Sequence, residues 1–409
     1  MLSETTLKRY GTGFFLLFSF TIFVAKAPIN ISSGLLLLTT LIFLYRCPGS
    51  REIFRYYYVR VCLFPLILGL VLSFFSLEGP LAFIGFLHRY RFFFLVVPFA
   101  LFITEYRHLE KLFRLMNVAA CLDVVYCMLN SDFSDMFSHF YGYHKFGRNS
   151  DMLFSICLFN LLYLIGLVLL KQFNQNRRIN ILLSLNTALL FVGVVLLGER
   201  GAWIGFYFGL FIFLMIYSRK LLFLIVVISL MAPFYTPDVA MQRLKSIVDV
   251  THFSNDIRLR LYRAGFDYLV ETNRFVTGTG VENVQKEVDV FFETKPKAYQ
   301  DEYYQTFKDH PGNFHNSFLQ MAVEGGVLFL LSYLLAMGLL LVRLARKARD
   351  MKDGDRLIIK AIVSVSAGFL LSQFFHEELF RYGGLVFMIL LYAGCYIEKS
   401  NSDDLVRGI

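Results

Sequence analysis

The chain has 409 residues, 56% of them hydrophobic, with 46 phenylalanines and a formal net charge of +9. Soluble domains are nearer 45–50% apolar, so this composition excludes an ordinary soluble protein. The positive charge is what cytoplasmic links between membrane spans would carry, and no nucleic-acid partner is expected.

In chain order, apolar runs predict membrane spans at 11–26, 33–46, 60–76, 90–104, 113–129, 151–170, 180–197, 202–217, 220–235, 316–342, 357–375 and 382–397. Most approach the length that crosses a hydrocarbon core of about 30 Å as a helix. They do not alternate with period two, which excludes a transmembrane β-barrel. The fold class is therefore an all-α polytopic membrane protein of about twelve spans. The first run follows Lys8 and Arg9 without a small-residue cleavage site, so it reads as a retained span. Cys47, Cys62, Cys121, Cys127, Cys157 and Cys395 lie in or beside the runs and form no CxxC pair, which argues against a disulfide framework or a zinc site.

Lysine and arginine set the orientation. With the N-terminus in the cytoplasm, the cytoplasmic links and tails hold 23 of them and the five short links opposite hold 7. Both termini are thus expected in the cytoplasm. The remaining 10 lie in one outer loop, residues 236–314, beside 12 acidic residues. At 79 residues it exceeds a plain connection and reads as an ordered, helix-containing subdomain. The chain divides into spans at 1–235, the loop subdomain at 236–314, and spans with a tail at 315–409. A helix is predicted in the loop from the cap signal Ser254, Asn255, Asp256 to about Glu271.

Ionisable groups beside spans are costly and often functional. On the outer side, the tight turn "LLGERGAWIGF" carries Glu199 and Arg200 between Gly198 and Gly201. The two charges either pair with each other or leave Arg200 to face an anionic lipid headgroup. In "SNDIRLRLYRAGFDYLVE", helical spacing puts Asp256, Arg260, Arg263, Asp267 and Glu271 on one face, where ordinary salt bridges account for them. Arg258 falls on the opposite face with Leu261, Tyr262, Gly265 and Leu269. A guanidinium there needs an anion, and a phosphate suits its fork. In "DHPGNFHNSFLQMAVEGG", Pro311 and Gly312 end the loop and Asn313 or Asn316 can cap the next helix. Asn316, Gln320 and Glu324 then form a polar stripe, with Glu324 about 12 Å below the helix start that follows His315 by helix rise. For Glu324 an interhelical hydrogen bond competes with a catalytic role. For His315 an interfacial histidine competes with a base. A weaker cluster is His376, Glu377, Glu378 and Arg381. Metal binding by His310, His315, His376 and Glu377 lacks any recognised zinc spacing. Gly278 and Gly280 lack the third glycine and the context of a dinucleotide fold.

The stretch "HNSFLQMAVEGGVLFL" resembles the H-N-x-x-L-x-x-x-x-E-x-G signature of the O-antigen ligase and polymerase superfamily. The "ERG" turn, an R-x-x-x-aromatic element in a large periplasmic loop, and the G-x-G of Gly278 and Gly280 resemble the same superfamily. The motifs cover roughly 180–340, and by length and loop placement the chain is most similar to O-antigen ligases. The resemblance implies a glycosyltransferase of the bacterial inner membrane with its site facing the periplasm. It would move a polysaccharide from undecaprenyl pyrophosphate to a sugar hydroxyl of lipid A–core, with no metal or other cofactor. By motif position the catalytic histidine falls on His315 and leaves His310 aside. The pyrophosphate-binding arginines fall on Arg200 and on Arg258, with Tyr262 where the family often has Trp. Arg260, Arg263, Glu199, Asn316 and Glu324 are secondary candidates. The implied partners are the undecaprenyl-pyrophosphate-linked donor, the lipid A–core acceptor and membrane lipids. An O-antigen polymerase, a protein O-oligosaccharyltransferase and, from another class, a transporter of an anionic substrate are the alternatives. The transporter reading lacks the internal repeat such proteins usually show.

Overall fold

The computed structural model describes residues 3–76, 79–130, 150–197, 199–231, 249, 253–310, 312–376, 379 and 382–407. Of the residues singled out above, Gly198, Pro311, Glu377, Glu378 and Arg381 lie outside that set, as do 236–248 and 250–252 of the long loop.

The described residues form helices and no strand. In chain order they are α1 (Glu4–Thr21), α2 (Lys26–Arg46), α3 (Tyr57–Phe74), α4 (Pro80–Tyr90), α5 (Val96–Phe102), α6 (Tyr106–Leu129), α7 (Ser150–Leu169) and α8 (Arg177–Leu197). There follow α9 (Arg200–Tyr217), α10 (Arg219–Met231), α11 (Phe253–Glu271), α12 (Val284–Glu293), α13 (Gln305–Asp309), α14 (Ser317–Lys347), α15 (Asp353–Ser372) and α16 (Gly384–Arg407). Among the described residues, eight helical stretches are both long and apolar enough to cross a membrane, α14 being the longest. Residues such as Leu41, Leu182, Leu185 and Phe223 stay exposed on the outer surface of the bundle, where lipid would meet them.

The span expected at 90–104 begins earlier. The helical stretch runs from Pro80 to Phe102 and is interrupted by a 3-10 turn at Arg91–Leu95. The charges of "HRYR" at 88–91 fall inside this stretch. Within it, Arg89 meets a carboxylate, Glu324, at 3.1 Å.

Packing against the site-bearing helices is close. A Cβ added at Gly205 of α9 would lie 2.6 Å from the Gly368 carbonyl oxygen of α15. Only small residues permit such an approach, and it fixes the N-terminal end of α9 against the C-terminal end of α15. A second core joins Leu261, Ala264, Tyr268 and Leu269 of α11 to Val288, Phe291 and Phe292 of α12, to Phe307 and Phe314, and to Ala322 and Val323 of α14. The loop helices thus share their core with the N-terminal part of α14.

That span is broken. Gly326 has φ 83° and ψ 161° inside α14, a region open essentially only to glycine. The chain at 275–280 lies against the break. Thr279 N–H donates to the Val323 carbonyl at 2.8 Å, Gly280 N–H to the Glu324 carbonyl at 2.9 Å, and Val327 N–H to the Phe275 carbonyl at 2.8 Å. Gly278 and Gly280 both have positive φ. A Cβ at Gly278 would sit 2.6 Å from the Glu324 carbonyl oxygen, so this G-x-G serves close backbone approach.

Candidate active site

The local sequence "GNFHNS" builds the entrance to α14. Asn316 is the N-cap, accepting from Phe318 N–H at 3.0 Å and Leu319 N–H at 3.1 Å. Asn313 accepts the His315 N–H at 2.6 Å instead. His315 takes φ 50°, a left-handed conformation in which histidine is enriched over most other non-glycine residues. Gln320 clamps the turn from below. Its Nε2 donates to the Gly312 carbonyl at 2.9 Å, and its Oε1 accepts from Phe314 N–H at 3.2 Å. The half-buried His315 ring lies with Nε2 3.2 Å from His310 Nδ1.

Helix α11 crosses this entrance with two chemically different faces. Arg260 bonds Asp256 at 2.8 Å and the Glu302 carbonyl at 2.9 Å. Arg263 bonds Asp267 at 2.8 Å. Arg258 lies on the other face, half-buried, and makes no hydrogen bond or ion pair among the described residues. One turn on, the Tyr262 hydroxyl donates to the carbonyl of Phe374, and it lies 3.4 Å from that of His315. Burial pushes the Tyr262 pKa up to about 12, against the pull of the nearby Arg258 guanidinium. Gly265 lets α11 settle onto the α14 entrance, since a Cβ there would lie 2.9 Å from Leu319 and 3.0 Å from Phe314.

The start of α9 supplies the third side. Glu199 is its N-cap residue, and its carboxylate lies 3.5 Å from His376 Nδ1. Arg200 Nη1 donates to Asn255 Oδ1 at 3.4 Å, so the turn arginine meets the start of α11 three residues before Arg258. Gly201 makes room for the His376 ring, because a Cβ would fall 2.0 Å from its Nε2. Ser317 ties α14 to the end of α15. Its N–H donates to the Gln373 and His376 carbonyls, and its hydroxyl lies 3.0 Å from Gln373 Oε1. Gln373 Nε2 in turn donates to Asp151 of α7 at 3.1 Å.

The structure therefore joins Arg200 to the start of the helix that carries Arg258, and that helix, through Tyr262, to the turn of His315 and Asn316, with Glu199 next to Arg200 at the start of α9. Arg260 and Arg263 are turned into salt bridges. Glu324 is buried below, held by Arg89 at 3.1 Å, Tyr90 Oη at 2.8 Å and Gln320 Nε2 at 2.8 Å. Among the described residues, it reaches the turn around His315 through Gln320. Three supports went unread in the sequence: Asp151, Ser317 and Gln373. Asp151 did carry a signal, an acid in the first turn of an otherwise apolar span. Ser317 and Gln373 are ordinary polar residues at helix ends, and only the fold brings them together.

These features define an all-α polytopic membrane protein whose ionisable groups gather beneath a helical loop at one end of the bundle. Residues 185–334 match the family described as O-antigen ligase, which is consistent with an O-antigen ligase family member. The matched segment runs from within α8 to within α14, so it contains Arg200, Arg258 and His315. It supports a glycosyltransferase-type function of the O-antigen ligase and polymerase superfamily. No curated protein matches the chain.

Proposed function

We propose that the chain is an inverting glycosyltransferase of the bacterial inner membrane. In this reading it moves O-antigen polysaccharide from undecaprenyl pyrophosphate to a sugar hydroxyl of lipid A–core at the periplasmic face. The observation that carries this reading is the junction itself. Arg200 bonds Asn255 at the start of α11, Arg258 lies on that same helix, and Tyr262, one turn on from Arg258, lies 3.4 Å from the carbonyl of His315.

The chemistry follows from those groups. A sugar hydroxyl is a weak nucleophile, and His315 takes its proton as the oxygen attacks the anomeric carbon of the donor. A positioned base of this kind contributes roughly 10²–10⁴-fold. The new C–O bond forms as the bond to the pyrophosphate oxygen breaks, with inversion at carbon. The leaving group gains negative charge, and arginines aimed at it stabilise the transition state more than the ground state. Helix polarity adds to this. The N-termini of α9, α11 and α14 all approach the junction, and each favours an anion. Arg200 stands in the first turn of α9, where a cation opposes the helix dipole and a bound pyrophosphate would offset that cost. Base and cations together supply what the step needs, so no metal is assigned a role. Tyr299 and Tyr303, with ring centroids 4.6 Å apart, offer faces on which acceptor sugars can stack.

The test is transfer by the purified chain in lipid, with the acceptor varied. Lipid A–core, a second lipid-linked glycan and a protein serine separate ligase, polymerase and protein transferase. We expect transfer to lipid A–core, its loss in His315→Ala, and no change on chelation. Transfer at the wild-type rate by His315→Ala rejects the base. Activity lost to chelator and restored by Mg²⁺ or Mn²⁺ rejects the metal-free step. Movement of an anionic substrate without covalent transfer would favour a transporter.

A further inference from the structure

We infer that His310 is a positioning residue for His315, accepting the Nε2 hydrogen of His315 and holding that ring in one tautomer. This rests on the reading of His315 as the base. The motif places only His315 in the reaction, yet the fold pairs the two rings. His310 Nδ1 lies 3.2 Å from His315 Nε2, and the rings meet edge to face, 80° apart with centroids at 4.9 Å.

The backbone between them is shaped for this contact. Helix α13 ends at Asp309. His310 N–H then bonds the Phe307 carbonyl at 3.0 Å, and Asn313 N–H bonds the His310 carbonyl at 3.0 Å. The chain therefore turns back on itself, and the left-handed φ of His315 completes the reversal. Gln320 and Asn313 hold the turn from either side.

A neutral imidazole offers one donor and one acceptor, so a bond through one nitrogen decides the role of the other. With Nε2 turned to His310 and carrying the hydrogen, Nδ1 is the nitrogen that would meet the acceptor hydroxyl. His310 then keeps its own hydrogen on Nε2. Before transfer the His–His bond joins two neutral rings. Once His315 has taken the proton, the same bond has a cationic donor and is roughly twice as strong. The contact thus stabilises the later state more than the earlier one, which raises kcat rather than tightening binding.

The experiment measures kcat and KM for lipid A–core on the full chain in lipid, for wild type and for His310→Ala, His310→Asn and His315→Ala. Asparagine can place an amide oxygen near the position of Nδ1 and accept the same hydrogen. His310→Ala should lower kcat by about tenfold with KM little changed, the size expected when one strengthened hydrogen bond is lost. His310→Asn should recover most of the loss. If His310→Ala fails to fold, His310→Leu fills the volume without an acceptor and takes its place. A wild-type kcat in the alanine or leucine variant, a loss confined to KM, or an asparagine variant as slow as alanine each overturns the inference. His315→Ala separates the two readings, since its inactivity keeps the base reading even when the His310 inference fails.

Discussion

Single alanine substitutions at Arg258, Arg260 and Arg263 should have very different effects, although the three lie within six residues on one helix. Arg260 is partly exposed and paired with Asp256 one turn away, an arrangement that contributes roughly 0.3–0.5 kcal/mol. Its second bond, to the Glu302 carbonyl, ties α11 to the π-helical turn at Gln300–Tyr304. Losing both should lower stability slightly and leave transfer within about threefold of wild type. Arg263 is largely exposed and bonded to Asp267, and its loss should be nearly silent. Arg258 takes part in neither bridge and lies on the Tyr262 face. If it meets the departing pyrophosphate, its loss removes a charge-stabilising donor, an effect on the order of 10²–10³ in kcat. Transfer is measured as glycan-modified lipid A–core formed per unit time by purified protein in lipid, with thermal midpoints recorded alongside. The reasoning fails if Arg260→Ala is as slow as Arg258→Ala, or if Arg258→Ala stays within about threefold of wild type.

Two further substitutions probe the frame around the junction. Gly278→Ala puts a Cβ 2.6 Å from the Glu324 carbonyl oxygen at a φ of 68°, and strain of this kind costs about 1–3 kcal/mol. A lower unfolding midpoint and reduced transfer should follow, and an unchanged midpoint would show that the loop segment can shift away from the α14 break. Tyr262→Phe removes the hydroxyl that donates to the Phe374 carbonyl and lies near that of His315. At about 1 kcal/mol per bond, kcat should fall about threefold to tenfold. Full activity would mean that α11 needs no such tie.

The sequence showed the helical class because twelve apolar runs leave little else to build, and it separated Arg258 from Arg260 and Arg263 because helical spacing is fixed. It misplaced the span near residue 90, since "HRYR" looks like a water-facing edge when Glu324 is 234 residues further along than Tyr90 and its nearness cannot be read. The same limit hid the contacts of Ser317 with Gln373 and of Gln373 with Asp151, which join three helices distant in the chain. His310 stands outside the motif, which reaches only His315. Five residues from His315, it would face another way on a regular helix, and the Asn313-to-His310 backbone bond with the left-handed φ of His315 accompanies the contact of the two rings.

The glycine break in α14 bears on the role proposed for Arg258. An arginine on a soluble loop would be of little use unless its position relative to His315 were fixed, because charge stabilisation depends on donors held in place before reaction. Opening a helix at Gly326 interrupts its own hydrogen bonding and leaves carbonyls at the end of the first half in need of donors. Thr279 and Gly280 supply those donors to Val323 and Glu324, and Phe275 accepts from Val327. The chain that leaves the C-terminus of α11 is thereby paired to α14 at the break, while Tyr262 and Gly265 hold the middle of α11 against the same helix and its neighbour. Held at its middle and just beyond its C-terminus, α11 is a fixed wall of the junction. The arginine it carries is therefore placed by the membrane helices themselves.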